Sequence, residues 1–158
     1  MKWEEIGKQP CSIARTLSVI GDRWTLLILR NAFLGIRRFE DFQKSLGVTR
    51  HLLTERLIDL VDAEILVKVP YTASNKRFEY KLTEKGLDLY PILMSMAQWG
   101  NTWMDQGHGA PIDYIHKECG HVFKPVLVCS HCKIPLRAKH VQPVPGKGFV
   151  PVISQIGT

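Results

Sequence analysis

The first apolar pattern along the chain has the period of an amphipathic helix. Ile13, Leu17 and Ile20 are separated by four and three residues, which places them on one face of a helix. Gly21 stands where this helix is expected to end. The sequence therefore predicts a helix that packs through one side.

The pattern between residues 22 and 61 predicts a helical core that contains a helix-turn-helix. Asp22 can cap a second helix, whose residues 24–33 are apolar on nearly every side, as expected at the centre of a core. A short third helix ends at Gly47, and Thr49 can cap a fourth. Two helices joined by a turn that contains glycine are typical of a helix-turn-helix. The predicted buried stripe of the fourth helix is Leu53, Leu57, Leu60 and Val61.

After residue 65 the apolar period changes from helical to two, which predicts a β-hairpin with a polar tip over residues 72–77. A hairpin that follows a helix-turn-helix is the wing of a winged helix. The alternating apolar residues are Val67 and Val69 before the tip and Phe78, Tyr80 and Leu82 after it. The predicted fold class is therefore mainly α with a β-hairpin wing.

Residues 85–106 have the period of one long helix that follows the wing. Thr83 can cap it, and Pro91 predicts a kink near its first turns. Its apolar face is formed by Leu89, Ile92, Leu93, Met96, Trp99 and Trp103. This face either completes the core of its own chain or meets a second chain.

Composition divides the chain near the connector of residues 105–111, which contains glycines and a proline. Residues 1–110 carry 15 basic and 13 acidic side chains, whereas residues 111–158 carry 6 and 2 and also hold six of the nine prolines. We therefore expect a winged helix-turn-helix domain over 1–109 and a small β-rich appendage over 110–158. The strands predicted in the appendage cover 126–128, 136–141 and 149–153.

Overall composition limits the classes of function. The chain is 45% apolar and carries a formal charge of +6, which favours nucleic acid over other anionic partners. No apolar run has the roughly 18 residues of a transmembrane helix, so we expect a cytoplasmic protein without a membrane partner. The sequence has no glycine-rich phosphate loop and no nucleophile elbow, so an enzyme is not expected.

The start of the fourth helix carries the residues that we predict to read DNA. A recognition helix meets base edges in the major groove with its N-terminal residues. Arg56 lies at the edge of the buried stripe, where it can reach a phosphate or pair with a carboxylate of the protein, and we include it in the DNA-binding set. The other predicted base or phosphate contacts in this helix are Thr49, Arg50, His51 and Thr54.

Positive side chains are also predicted on either side of this helix. Arg37 and Arg38 precede the third helix, and the wing tip is basic. The helix-turn-helix and the wing bring these positions to one side, where they can contact phosphates. A winged helix used only for protein–protein contact does not need these cations, and it is one alternative function. The wing-tip residues predicted to contact DNA are Ser74, Asn75, Lys76 and Arg77.

Several sequence pieces occur together in a specific order. They are Cys11 before the first helix, GDRWTLLIL (21–29), GIRRFEDFQKSLGV (35–48), LTERLIDL (53–60), YKLTEKG (80–86) and AQWG (97–100). In this order and spacing, residues 11–100 resemble the HxlR-type winged-helix transcriptional regulators of bacteria and archaea, which are MarR-like. The resemblance is carried by the combination, since none of the pieces is specific alone.

This resemblance implies a sequence-specific regulator, most often a repressor, that binds a double-stranded operator as a homodimer. It places the helices around Ile13 and Trp99 at the dimer interface, with half-sites roughly 34 Å apart. A small-molecule effector or a redox signal is implied as well, and no cofactor is required for DNA binding.

Some proteins of this kind sense electrophiles or oxidants through a cysteine at the position of Cys11. A thiol near a helix N-terminus, with Lys8 and Arg15 close in sequence, is suited to react as a thiolate. Cys11 is therefore the candidate sensor thiol. The alternative is a buried cysteine that acts as a small apolar residue.

The appendage contains two pairs of metal-ligating residues, His116-x2-Cys119 and Cys129-x2-Cys132, with nine residues between them. Each pair has the spacing that places two ligands on one zinc ion, so a structural zinc site is a candidate. His121 and His131 are substitute ligands. A reducible pair, Cys129–Cys132 or Cys119–Cys132, and inert thiols are the alternatives, and a redox or metal-binding protein that uses Cys129-x2-Cys132 is the other alternative function.

Overall fold

Helices dominate the fold. The structure is a computed structural model, and it describes residues 3–71 and 77–149. Its helices are α1 (Ser12–Ile20), α2 (Arg23–Phe33), α3 (Phe39–Leu46), α4 (Arg50–Asp62), α5 (Glu84–Leu87) and α6 (Tyr90–Trp103). Its strands are β1 (Leu66–Pro70) and β2 (Phe78–Leu82), and two 3-10 turns cover Trp3–Lys8 and Ala138–His140. The predicted winged helix is confirmed.

The chain forms two compact units. One comprises Asp22–Val126, and the other comprises Met1–Gly21 together with Leu127–Thr158. The first contains α2 to α6 and the wing, and the second contains α1 and the 3-10 turns. The expected domains 1–109 and 110–158 stay a prediction.

Two side-chain caps fix where α2 and α4 begin. Asp22 Oδ1 accepts hydrogen bonds from two backbone N–H groups in the first turn of α2, at 3.0 and 3.1 Å. Thr49 Oγ1 accepts one from the N–H of Leu52 at 3.3 Å. Between α3 and α4 the chain turns at Gly47, whose φ of 63° is a left-handed value that glycine adopts without steric cost. Both predicted caps and the predicted turn are confirmed.

The core of the larger unit forms around α2, which contacts α3, α4, α6 and β2. Asn31 is a buried polar residue of this helix, and its Nδ2 donates to Ser45 Oγ of α3 at 3.0 Å. Its Oδ1 accepts from the guanidinium of Arg30, so both ends of the amide have partners. The side chains with almost no exposed surface are Ile28, Leu29, Phe42, Leu53, Leu57, Leu60 and Leu66.

The wing lies against the segment that precedes α3. β1 and β2 pair antiparallel, with a register that runs from Leu66 opposite Leu82 to Pro70 opposite Phe78. The carbonyl of Arg37 accepts a hydrogen bond from the N–H of Tyr80 at 2.8 Å, and Arg38 forms an isolated bridge with Glu79. The backbone of Arg37 and Arg38 is therefore fixed by the hairpin.

The expectation of one long helix over 85–106 is wrong. The chain forms the short α5, breaks, and resumes as α6 at Tyr90. Pro91 explains the break, because in the first turn of a helix its missing N–H costs nothing, whereas inside a longer helix it removes a hydrogen bond and clashes with the preceding turn. Thr83 therefore caps α5. No described helix is long and apolar enough to cross a membrane.

The apolar face of α6 does not complete the core of its own chain. Trp99 and Trp103 are 59% and 73% exposed, and Met94 is the residue of α6 that is buried. Ile13 and Leu17 of α1 are exposed as well. Ile20, the third member of the predicted stripe of α1, is buried. Each predicted stripe is therefore only partly covered in the single chain.

The predicted strands of the appendage are wrong over 126–128 and 136–141. Val128 takes part only in an isolated bridge, and Ala138–His140 form a 3-10 turn. The strand expected over 149–153 lies almost wholly outside the described residues. Prolines interrupt this segment, and each removes an N–H that a strand ladder needs. The β-pairings described in residues 111–149 are the isolated bridges Ile115↔Val122 and Val128↔Pro135.

Candidate nucleic-acid interface

The exposed start of α4 carries the predicted DNA-reading residues. The side chain of His51 is 84% exposed, and its Nε2 lies 3.5 Å from the carboxylate of Glu55 one turn further on. Thr54 is exposed too, and its hydroxyl donates to the carbonyl of Arg50 at 2.8 Å. These side chains lie on the side of α4 away from its buried leucines, as expected for a helix that enters a groove.

Arg56 of α4 pairs inside the protein. Its Nη1 lies 3.0 Å from Asp59 Oδ2, and its Nε lies 3.2 Å from Asp22 Oδ1 without the alignment of a hydrogen bond. Since Asp22 also caps α2, Arg56 links α4 to the start of α2. Of the two roles that the sequence leaves open to Arg56, the structure contains the internal pair, and the reach to a phosphate has no support from the geometry.

A cleft of about 490 Å³ lies between the start of α3, the start of α4 and the wing. Its cationic lining residues are Arg38, Arg50, Lys68 and Arg77, and its acidic ones are Glu40 and Asp41. The sequence predicted the three arginines. It missed Lys68, because a lysine that alternates with valines in a strand is expected only to face solvent. We call this surface the basic cleft.

Three cations of the basic cleft lie over aromatic rings. Arg38 lies over Tyr71, Arg50 over Phe39 and Lys68 over Phe78, at 4.7, 4.7 and 4.3 Å from the ring centroids. A ring face attracts a cation without neutralising it, so these side chains are held in place and keep their charge. Arg38 also lies 3.7 Å from the carboxylate of Glu79. Positive charges positioned in this way are suited to phosphate groups.

The position of the two acidic residues in the basic cleft is explained by the helix that carries them. Glu40 and Asp41 lie in the first turn of α3, where a negative charge interacts favourably with the helix dipole. Burial, and then the charge of Glu40, raise the pKa of Tyr80 above its ordinary value. Tyr80 is therefore a neutral hydroxyl at the edge of the cleft and can donate a hydrogen bond.

Four further predicted DNA contacts are Arg37 and three residues of the wing tip. Arg37 is exposed beside Arg38 but does not line the cleft. Ser74, Asn75 and Lys76 lie outside the described residues. The structure thus brings together one arginine before α3, one at the start of α4 and one at the wing, which are Arg38, Arg50 and Arg77.

Cys11 is exposed and stands at the N-cap position of α1. Its side chain makes no capping hydrogen bond. The alternative of a buried cysteine therefore does not hold in the single chain. Arg15, one turn into α1, is held through a hydrogen bond of its Nη2 to Ser12 Oγ at 3.2 Å.

The four predicted metal ligands lie in two tight turns of the appendage. The thiols of Cys119, Cys129 and Cys132 are free. Backbone hydrogen bonds from Cys132 and His131, and then one from the Cys132 side chain, lower the pKa of Cys129 below its ordinary value. Within the described part of the chain, no three His, Cys, Asp or Glu side chains are grouped as a metal site, so metal binding stays a prediction.

An apolar pocket of about 490 Å³ lies between α2 and α6. Its walls include Phe33, Leu93 and Met94, and Arg30 and Tyr114 supply polar groups. Its size and lining fall within the range of small-molecule sites, roughly 300–1,000 Å³. No pattern in the sequence predicts this pocket, because it arises from how two helices pack.

Known proteins with similar sequences are transcriptional regulators of the helix-turn-helix type. The HxlR-like helix-turn-helix family matches residues 19–108. An uncharacterized HTH-type transcriptional regulator of Mycobacterium tuberculosis is 43% identical over 138 residues, which are 87% of this chain and 87% of that protein. The similarity therefore extends well into the appendage.

Solved structures that are similar to this one include two transcription-related proteins. PA1607, a protein described as a candidate transcription factor, is 34% identical with a TM-score of 0.80, and the match covers 92% of this chain and 100% of that chain. The redox regulator HypR in its oxidized form is 32% identical with a TM-score of 0.54, and the match covers 58% of this chain and 96% of that chain.

Proposed function

Because the chain belongs to the HxlR-like helix-turn-helix family of transcriptional regulators, we propose that it acts in the cytoplasm as a homodimeric repressor of a pseudo-palindromic operator. A signal, either a small molecule or an oxidant, releases it from double-stranded DNA. The observation that carries this proposal is the basic cleft beside the exposed start of α4. No cofactor takes part in the contact with DNA.

The arrangement of the basic cleft supports a division of labour on DNA. A helix that presents Arg50, His51 and Thr54 outward can place them against base edges in the major groove. Arg38 and Arg77 lie to the sides and contact phosphates, which fixes the position of the helix without reading sequence. Lys68 adds a further phosphate contact. A winged helix that binds only protein gives these cations no role.

The test is a binding titration with the promoter region of the protein's own gene and with random duplex of equal length, each at two salt concentrations. We expect the promoter to bind roughly 10³-fold or more tightly, and both affinities to fall steeply as salt rises. Equal affinity for the two duplexes would exclude an operator reader. A flat salt response would exclude phosphate contact.

Variants separate the two kinds of contact. Arg77→Ala should weaken binding to both duplexes alike and lower the salt slope by about one, whereas His51→Ala should reduce the preference for the promoter. Lys85→Ala is the matched control, because Lys85 is exposed, pairs with Glu64 at 3.7 Å and does not line the basic cleft. A loss of affinity in Lys85→Ala as large as in Arg77→Ala would mean that the DNA surface is misplaced.

The exposed apolar faces of α1 and α6 support the homodimer. Trp99 and Trp103 leave a large apolar surface of α6 exposed to water, and monomeric proteins rarely expose contiguous apolar patches of this kind. Large aromatic side chains also dominate the energetics of interfaces. Ile13 and Leu17 give α1 an exposed apolar face of its own. A C2 dimer would cover such faces with a second copy.

Two features support a response to a signal. Cys11 is an exposed thiol, and HypR, to which the chain is similar, is a redox regulator. The pocket between α2 and α6 has the volume and apolar lining of a small-molecule site. The two features belong to different effector classes, namely reactive compounds and reversibly bound ones.

Cys11→Ser distinguishes these classes. Operator binding by the wild type should be lost on exposure to a quinone, an aldehyde or peroxide, whereas Cys11→Ser should keep binding, since a hydroxyl does not react with these compounds. Cys132→Ser, measured in parallel, controls for the other thiols. If wild type and Cys11→Ser respond alike, Cys11 is not the sensor.

A further inference from the structure

The apolar pocket between α2 and α6, which we call the α2–α6 pocket, carries positive charge in its lining. All of its lining residues belong to the larger compact unit. They include leucines, methionines and the rings of Phe33 and Tyr90, whose centroids are 4.8 Å apart. Among the described residues, Arg30 is the charged group of this lining, and no carboxylate pairs with it. The α2–α6 pocket is therefore apolar with an uncompensated guanidinium.

The guanidinium of Arg30 is held by an amide that is itself fixed in the core. Its Nε and Nη2 donate to Asn31 Oδ1 at 3.1 and 2.9 Å. Asn31 is buried, and its Nδ2 donates to Ser45 Oγ at 3.0 Å. A neutral amide oxygen holds the guanidinium without cancelling its charge. An arginine has five N–H donors, so others remain to bind a carboxylate.

Two tyrosines add neutral polar groups to the α2–α6 pocket. Tyr90 and Tyr114 both line it. Burial, and then the nearby Tyr114, raise the pKa of Tyr90 above its ordinary value. Tyr90 is therefore a neutral hydroxyl that can donate a hydrogen bond. Since a carboxylate accepts several hydrogen bonds, a guanidinium and hydroxyl donors in one pocket suit such a group.

Acidic side chains line a neighbouring cavity of about 360 Å³ instead. This cavity shares Tyr114 with the α2–α6 pocket and is lined by no described residue of α2. Its acidic lining residues are Asp105 and Asp113, and its cationic one is Lys124. A negative charge is repelled by the two carboxylates and attracted by Arg30. Charge thus favours an anionic ligand whose anionic end lies at α2.

We propose that the α2–α6 pocket binds a small apolar carboxylate as an effector, with the carboxylate at Arg30 and the apolar body between α2 and α6. The effect on DNA rests on the proposed function. The α2 helix contacts α3, α4 and β2, whereas α6 carries the exposed face proposed for the dimer. A ligand that binds one arrangement of two helices better shifts the protein towards it. Binding between α2 and α6 therefore changes how a dimer presents its two α4 helices to the operator.

The first test is isothermal titration calorimetry of the DNA-free protein with two pairs of probes, 2-naphthoate and 2-naphthamide, and octanoate and octanamide. In at least one pair the acid should bind about fivefold or more tightly than its amide, because charge-assisted hydrogen bonds are stronger than neutral ones. The pair that binds more tightly tells an aromatic from an aliphatic body. Arg30→Gln should bind acid and amide alike. Arg23→Gln is the matched control, because Arg23 is exposed on the same helix and does not line the α2–α6 pocket.

Two further variants locate the bound acid. Ala97→Leu adds volume inside the α2–α6 pocket and should weaken binding of the acid about tenfold or more, whereas Arg77→Gln in the basic cleft should bind it as the wild type does. Circular dichroism checks that the variants fold, and the comparison of acid with amide needs only the wild type. Acids that bind no more tightly than their amides in either pair would overturn the proposal. So would binding that Ala97→Leu keeps and Arg77→Gln loses.

The second test adds DNA. A saturating concentration of the acid should lower the affinity of the wild type for the promoter region of its own gene by about fivefold or more, and should leave Arg30→Gln unaffected. Promoter binding that stays unchanged while the acid is bound would overturn the role as an effector. A protein that prefers no DNA sequence would instead refute the proposed function, and calorimetry would still decide whether the α2–α6 pocket binds a carboxylate.

Discussion

At the scale of single residues, Arg56 shows how a cation of α4 can belong to the fold instead of the DNA surface. Its charge is shared between Asp59 on the same helix and Asp22 at the start of α2. His51 lies on the same helix but is almost fully exposed. Position along a recognition helix is therefore not enough to assign a DNA contact, and burial decides between these two residues.

Asp22 has two roles, and their loss should be measurable. Asp22→Ala removes the cap of α2 and one partner of Arg56, and we expect it to lower the free energy of unfolding by about 1–2 kcal/mol, mostly through the cap. Asp59→Ala removes only the more exposed partner of Arg56 and should cost less than about 1 kcal/mol. Urea denaturation of both variants gives the two values. Equal losses would contradict the importance of the cap.

Local chemistry explains which residues could be predicted from the sequence. Asp22, Thr49 and Gly47 act on their own backbone neighbourhood, so their roles follow from the residues beside them. The partner of Arg56 and the place of Lys68 in the basic cleft depend on elements distant in sequence. Such contacts could not be predicted from a single sequence, because the apolar period of one helix or strand does not show which distant element it meets.

At the scale of elements, α5 and α6 show where apolar periodicity fails. Their combined pattern is that of one helix, and the period does not register the break before Tyr90. Pro91 marks where the helix is interrupted, but it does not tell a kink from a complete break, since proline is compatible both with a kink and with a new helix start. In the appendage the alternating pattern was misleading, because prolines prevent the ladder that strands require.

Two helical glycines provide a matched test of element packing. A Cβ at Gly86 of α5 would collide with the backbone carbonyl of Ile65, whereas a Cβ at Gly100 of α6 would meet nothing within 4 Å. Gly86→Ala should therefore destabilise the protein by about 1–3 kcal/mol. Gly100→Ala should stabilise it by about 0.5–1 kcal/mol, because alanine loses less backbone entropy in a helix.

Urea denaturation measures both changes at one fixed protein concentration, because the apparent stability of a dimer depends on concentration. The close contact of Gly86 with Ile65 requires the two changes in the free energy of unfolding to have opposite signs. If Gly86→Ala is neutral or stabilising, then α5 does not lie as closely against the end of α4 and β1 as the structure has it.

At the scale of the whole molecule, the dimer should depend on the exposed face of α6. Trp103→Glu places a charge on the exposed apolar face of α6, and we expect at least about a tenfold weaker dimer, because large aromatic residues dominate such contacts. Leu87→Glu is the matched control, since Leu87 is an exposed apolar residue of α5 outside this face. Sedimentation over a concentration series should give twice the chain mass for wild type and Leu87→Glu. A monomeric wild type would contradict the dimer.

The net charge of the whole chain does not explain where DNA is expected to bind. The winged-helix part holds little of the net charge of +6, yet it contains the basic cleft. The appendage is more basic for its length. Placement, rather than net charge, connects this sequence to DNA.

Selection of binding sites from a pool of randomised duplex DNA tests most directly whether the protein reads a DNA sequence through α4. The wild type should enrich a two-fold symmetric sequence whose half-sites lie about 10–10.5 base pairs apart, because a dimer places one α4 in each of two successive major grooves. His51→Ala should enrich a less defined sequence from the same pool. Recovery of the input distribution by the folded wild type would contradict a sequence-specific regulator that reads DNA through α4.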